Sequence, residues 1–385
     1  MKRVCIIGAG ASGCMCAYFL LKAGCKVTLF DYGEPLRTLL PTGGGRCNLA
    51  HAEYDFRELA KNYPRGEKFL YSIFSKFSTY DTLALFEELG VKTYSQKNGK
   101  IFPVSNSAKD VREKILKSIT KAQFVKEIVN EITQIQSHSF TEKERKREGF
   151  KLRTNKAEYF FENIVIAIGG KKQIKGLSHN IIPFTPALVG LDSNITTLSG
   201  IVLKDVYSVD CKICDDLLFT HFGISGPLTY KISSLKSKDE FPYKLTFNLY
   251  SQIFDLQKLL NDNPHKDLKN ILSLIFPHKF AEFLSGEHAE VKAHNIDGKM
   301  RDYIINKIHN FEINITGTNI GEETVTAGGY SLNEINSKTM ESKLYPNLYI
   351  IGEALDIDGF CGGFNLQNAW STAFVAAEGI LNKNR

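Results

Sequence analysis

The sequence predicts a discontinuous α/β fold: a parallel sheet with flanking helices, interrupted by an inserted β-rich domain that carries helices of its own. Three observations predict it. A Gly-rich turn at residues 8–13 separates a short apolar strand from a helix. Between about residues 190 and 320 the pattern shifts to short alternating β segments followed by helical stretches. An apolar strand then returns at 348–352, with a further Gly-rich turn and a closing helix over 365–381.

Residues 2–7 form the first predicted strand and 12–23 the first helix, which Gly24 ends. The next strand, 26–30, closes on Asp31 and completes a βαβ unit with parallel strands. Residues 55–89 read as two amphipathic helices, with Leu83, Leu85, Phe86 and Leu89 at helical spacing. A helix over 109–120 and a strand over 124–136 follow. The charged run at 141–148 reads as a solvated hairpin tip, and 150–154 and 158–168 resume the sheet. In the insert, β segments at 201–211, 217–219 and 243–250 precede helices at 255–260, 266–275, 278–284 and 298–310. The expected domains are 1–190 and 321–385 for the split domain, and 191–320 for the insert, with a helical subdomain at about 251–310.

With 385 residues, 43% of them hydrophobic, the chain can bury a sizeable core. The net charge of +6 favours phosphate-bearing ligands but is spread over a long chain, so nucleic acid is not an expected partner. Four of the eight cysteines (5, 14, 16 and 25) lie in the first βαβ unit, where cysteine acts as a small buried hydrophobe. The apolar start is broken by Gly8, Gly10 and Gly13 and lacks a cleavage site, so a cytoplasmic protein without disulfides is expected. No stretch approaches the ~20 apolar residues of a membrane span.

Gly8-Ala9-Gly10-Ala11-Ser12-Gly13 has the spacing of a dinucleotide fingerprint. Gly8 allows the tight turn, Gly10 lets the backbone approach a pyrophosphate, and Gly13 permits close helix–strand packing. The helix N-terminus offers N–H groups to the phosphates, and Asp31 stands where an acid accepts ribose hydroxyls. The fingerprint does not choose between FAD and NAD. FAD is favoured by further Gly-rich segments: residues 41–48 (PTGGGRCN), the strand 163–170 ending in Gly169-Gly170, and 348–353 ending in Gly352-Glu353. Residues 358–365 (DGFCGGFN) then lead into the last helix. Its N-terminus can stabilise negative charge on the pyrimidine edge of a reduced flavin, and Glu353 can bind ribityl hydroxyls.

Other constellations divide between structural and chemical roles. Arg46, beside three glycines, is a phosphate-neutralising or loop-ordering residue, and Cys47 a structural or substrate-facing thiol. Cys211 and Cys214 have CxxC spacing but no matching second ligand pair, so no metal is expected. Residues 221–227 (HFGISGP) mark a turn into a helix, with His221 and Ser225 either packing or lining a substrate cavity. Asn365 and Gln367 can support the last helix, with a polar contact to the isoalloxazine also open.

At these residues the sequence resembles the HI0933-like family of bacterial flavoproteins, which includes proteins called aminoacetone oxidases. The match covers nearly the whole chain and rests on GAGASG at 8–13, GGGRCN at 43–48, IAIGGK at 166–171, THFGISGP at 220–227, TAGGY at 326–330 and the long run at 350–370. The resemblance implies a Rossmann-type FAD-binding domain split by a β-barrel-like domain with a helical subdomain. It implies tight FAD binding without a separate NAD(P)H domain. Asp31 stands where the family commonly has glutamate. The implied cofactor contacts are Gly8, Gly10, Ala11, Ser12, Gly13, Asp31, Gly44, Gly45, Arg46, Cys47, Asn48, Val125, Gly169, Gly170, Gly352, Glu353, Gly362, Gly363, Phe364 and Asn365.

The expected function is that of an FAD-dependent oxidoreductase passing hydride between flavin and a small organic substrate, amines among the candidates. Oxygen or NAD(P)H is the other redox partner. Catalytic candidates are His221, Ser225 and Cys47. Two alternatives stay open: a tRNA-modifying flavoprotein and a flavin-binding sensor without turnover.

Overall fold

The computed structural model describes residues 1–135, 148–170, 173–250, 255–319 and 325–383. The predicted charged tip therefore lies outside the described residues except for Glu148, as do Lys171 of the IAIGGK segment, the start of the helical subdomain at 251–254 and the expected boundary at 320–321. The chain divides into two compact units, residues 1–185 with 326–385, and residues 186–325. Each has its own hydrophobic core.

The first unit is built on a five-stranded sheet in the order Leu348–Ile350, Asn163–Ile166, Arg3–Ile7, Lys26–Phe30, Gln123–Val125, all parallel. From Arg3–Ile7 the chain adds strands first to one side and then to the other. The strand order thus reverses between Arg3–Ile7 and Asn163–Ile166, where open α/β sheets bind ligands outside the carboxyl ends. Val4 to Ile7 and the whole of Asn163–Ile166 are buried, as a sheet covered on both faces requires. Helices Ala11–Lys22 and Phe364–Asn382 pack against each other on this sheet.

Three local readings are corrected. The strand expected at 124–136 is two: Gln123–Val125 in the parallel sheet, and Val129–Ile135 in an antiparallel sheet with Gly149–Thr154 and Glu158–Phe161. The chain turns between them because the Val125 carbonyl accepts from Glu127 N–H, and Asn155 then holds Ile128 through both its backbone N–H and its side chain. Residues 158–168 likewise divide at Glu162 between the two sheets. The two helices expected over 55–89 are three, Phe56–Ala60, Glu67–Phe74 and Thr79–Glu88. Pro64 and Gly66 break the first pair, Gly66 in the left-handed region at φ 91°. A capping box between Ser78 and Asp81 restarts the third.

The second unit holds a closed six-stranded barrel in the order Leu191–Ser193, Gly223–Ser225, Ile213–Phe219, Val202–Ser208, Tyr243–Asn248, Phe311–Thr318. Four helices, Leu256–Asp262, Leu268–Leu272, His278–Ser285 and Gly298–His309, lie between its last two strands in the chain. Their buried leucines and isoleucines join the barrel interior in one core. The segment read as one strand over 201–211 ends at Ser208, and Lys212 at φ 56° turns the hairpin into Ile213–Phe219.

Candidate cofactor site

The glycines of the fingerprint divide by what surrounds them. A Cβ on Gly8 would lie 2.2 Å from the Ala167 carbonyl oxygen, and one on Gly13 would lie 1.9 Å from that of Gly8. Both are glycine because the strand, turn and helix touch there. Gly10 differs: a Cβ would meet nothing within 4 Å, so its backbone faces open space. It caps the helix Ala11–Lys22 without a side-chain hydrogen bond, and no acid stands in the first turn. An uncapped N-terminus beside an open glycine is the arrangement a pyrophosphate needs.

Asp31 Oδ2 accepts from Ala9 N–H at 2.7 Å and Oδ1 from Gly33 N–H at 2.9 Å. The carboxylate thus braces the Gly-rich turn, and its remaining lone pairs can still accept from ribose hydroxyls. Val125 stands beside it, its carbonyl accepting from Asp31 N–H at 3.2 Å. Ser12 Oγ lies against Gly352, where a Cβ would approach it to 2.5 Å. Gly170 sits against Thr326 and Glu353, whose Oε1 accepts from Thr326 N–H at 2.8 Å. Gly169 is open in the same way as Gly10. The turns after three adjacent strands therefore converge at the sheet's switch point.

A second group forms around the closing helix. Gly363 begins Phe364–Asn382 at φ 95°, again with no side-chain cap and no acid in the first turn. A Cβ there would lie 2.4 Å from the Ala50 carbonyl oxygen. Oriented to satisfy its neighbours, the Asn48 amide donates to the Ala50 and Ile101 carbonyls and accepts from Gly363 N–H at 3.0 Å. The loop at 41–48 and the turn at 358–365 are thereby one structure. Gly44 of that loop faces open space, and a Cβ on Gly45 would meet only the Leu40 carbonyl oxygen, at 4.0 Å. Arg46 is exposed, donates to the Gly43 carbonyl at 3.2 Å and lies over the Phe102 ring at 4.2 Å.

Asn365 spends its amide on Gly359, accepting from N–H at 2.8 Å and donating to C=O at 2.7 Å. Gln367 is fully buried between Thr82 and Ser371. Both hold the turn and helix. Cys47 is fully buried, and burial pushes its thiol up to about 12, which does not suit a nucleophile at neutral pH.

The remaining candidates lie in the second unit. His221 is exposed, its ring edge-on to Phe222. Ser225 is buried at the start of Gly226–Leu235, with Oγ donating to the Tyr230 hydroxyl at 3.1 Å. Cys211 and Cys214 flank a hairpin turn as free thiols, and among the described residues no group of three or more His, Cys, Asp or Glu gathers as metal ligands would. No described helix is long and apolar enough to cross a membrane.

Four residues around the turn escaped sequence reasoning. Arg65 forms a bidentate ion pair with Asp358, which is fully buried. Tyr63 donates its hydroxyl to the Phe364 carbonyl at 2.6 Å. His51 Nδ1–H donates to the Gly362 carbonyl at 3.1 Å, its ring stacked on Phe364 at 4.6 Å. The signals available were a basic residue between proline and glycine, and an aspartate at the head of the Gly-rich run 358–365.

Comparisons place these features among known proteins. The chain is 31% identical over 401 residues to the ribosomal RNA dihydrouridine synthase of Haemophilus influenzae, covering 97% of each chain. It is 29% identical to the Escherichia coli protein of the same name, over 98% of this chain and 97% of that one. It is also 27% identical to the 3-dehydro-bile acid delta(4,6)-reductase of Clostridium scindens, over the full length of both. The family model of the HI0933-like protein Rossmann domain matches residues 2–379, and the chain belongs to that family.

Proposed function

We propose that this protein is an FAD-dependent reductase of a conjugated carbon–carbon double bond, and that the bond it reduces is that of uridine in ribosomal RNA. The observation that carries the flavin reading is the pairing of two uncapped helix N-termini, each beginning at a glycine, with the open backbone at Gly10, Gly44 and Gly169. Reduction is supported by the relatives, because the printed names of all three describe saturation of such a bond. The RNA substrate rests on the two relatives named for it, alike over nearly their whole length. A small conjugated carbonyl compound is the second reading, favoured by the bile acid enzyme.

In this reading the turn at Gly8–Gly13 and the N-terminus of Ala11–Lys22 bind the pyrophosphate, with Asp31 on the adenosine ribose and Glu353 on the ribityl chain. The uncapped N-terminus of Phe364–Asn382 would offer its N–H groups and positive dipole end to negative charge on a bound flavin. Asn48, His51, Tyr63, Arg65 and Asn365 hold that turn in place before any ligand arrives. When bound, FAD would supply the two-electron chemistry, with NAD(P)H as the reductant and a proton from solvent as the second hydrogen of the saturated bond.

The test is to release the cofactor by heat or acid, identify it, and give the anaerobic NAD(P)H-reduced holoenzyme unmodified ribosomal RNA or free enones. A uridine gaining two hydrogens, with reoxidation of the flavin, is expected. FMN in place of FAD, or flavin oxidised only by enones, would overturn the corresponding part.

A further inference from the structure

We infer that the three-stranded sheet of Ala50–His51, Thr93–Ser95 and Lys100–Pro103 docks the phosphate backbone of the RNA; this rests on the RNA reading above. The chain's net charge is unevenly shared. The unit of 1–185 with 326–385 holds 34 Lys and Arg against 24 Asp and Glu, whereas the unit of 186–325 holds 14 against 18. The excess of cations over acids, a polyanion's footprint, lies with the split unit.

Within that unit the small sheet joins free charge to the site. Lys100 pairs in register with His51, the residue that donates to Gly362. Lys97 sits at the hairpin tip, where Gln96 and Gly99 close the turn, and Lys92 precedes the strand Thr93–Ser95, its carbonyl accepting from Val104 N–H. Lys92 and Lys97 are exposed and Lys100 is half-buried. Among the described residues none of the three is held in an ion pair, in contrast to Lys22, Lys61 and Lys76 elsewhere in the unit. Glu53, the neighbouring acid, is turned to Asp55 N–H at 3.0 Å. At about 3.3 Å per residue, the strand Thr93–Ser95 separates Lys92 at one end of the hairpin from Lys97 and Lys100 at its tip by roughly 13–16 Å. A single strand laid there would place a base near the turn at 358–365, to which His51 and Asn48 tie the sheet.

The test compares Lys92→Gln/Lys97→Gln/Lys100→Gln with a control, Lys117→Gln/Lys121→Gln/Lys156→Gln, which removes the same charge from exposed positions of the same unit. Holoprotein affinity for a labelled single-stranded oligouridine is measured against salt, with FAD content and unfolding temperature checked on each variant. The sheet variant should bind at least tenfold more weakly. Its log–log salt slope should be shallower by about 2, from ~0.7 per phosphate contact and three contacts. The control should keep both. If wild type binds and the sheet variant keeps its affinity and slope, or the control loses as much, this surface is wrong while the RNA reading stands. If wild type binds neither oligouridine nor ribosomal RNA, the RNA reading fails and the inference with it.

Discussion

The two glycines at positions 10 and 13 should respond oppositely to the same added methyl group. Gly10 has φ −77° and ψ −166°, an extended backbone that alanine adopts, and its Cβ would meet nothing within 4 Å. Gly10→Ala should therefore leave the apoprotein as stable as wild type, or more stable by about 0.4–1 kcal/mol through the loss of unfolded-state freedom. The methyl does, however, stand where a pyrophosphate must approach. Losing one charge-assisted hydrogen bond there costs about 1.5–3 kcal/mol, or roughly 10–100-fold in affinity. Gly13→Ala forces a Cβ to within 1.9 Å of a backbone oxygen, which no rotamer can relieve. Overpacking of this kind costs about 1–3 kcal/mol or more before any ligand is considered. The assay is thermal unfolding of apoprotein stripped of flavin, followed by fluorescence titration with FAD. Should Gly10→Ala bind FAD as tightly as wild type, the turn does not hold the pyrophosphate. Should it destabilise the apoprotein as much as Gly13→Ala, the division between open and packed glycines is wrong.

Arg65→Met removes the cation from the buried Asp358 carboxylate and should cost about 3–5 kcal/mol in chemical denaturation, with weaker FAD binding; a loss under ~1 kcal/mol would show the turn is held by its other contacts. Burial lowers the pKa of His179, whose Nε2 accepts from the Ser342 hydroxyl while that oxygen accepts from Leu344 and Tyr345 N–H. Its neutral form belongs to the fold, so this stability is present above the unfolded value near 6.5 and lost as pH falls through the lower folded one. Unfolding temperature should drop between about pH 7 and 5, and His179→Gln should flatten that drop; an unchanged profile would refute the assignment. Thiol reagents on native apoprotein should modify the exposed Cys214 and Cys361 and spare Cys47. Modification of native Cys47 would contradict its burial.

The site was legible wherever chemistry is written in local backbone demands. Gly8, Gly10 and Gly13 announce their turn because strand, turn and helix follow within a few residues, and Asp31 stands at the strand end that the unit requires. The interrupted pattern between about 190 and 320 likewise exposed the insert, since alternation and helical spacing are local properties. Strand breaks at 126–128 and at Glu162 were illegible, because the residues on either side are equally suited to strands and only their partners differ. Asn365 was legible as a helix neighbour but not as the clamp on Gly359, and only packing decided between the structural and substrate-facing readings of Cys47, by burying it.

By itself, then, the sequence determined the α/β class, the nucleotide-type turn and the presence of an insert. Tertiary structure alone decided that Ser12 meets Gly352, Asn48 meets Gly363, and Arg65 meets Asp358. Those pairs are separated by about 290 to 340 residues, and no periodicity spans such a distance. They meet because the sheet sets strands from both ends of the chain side by side, and because the closing helix packs against the first.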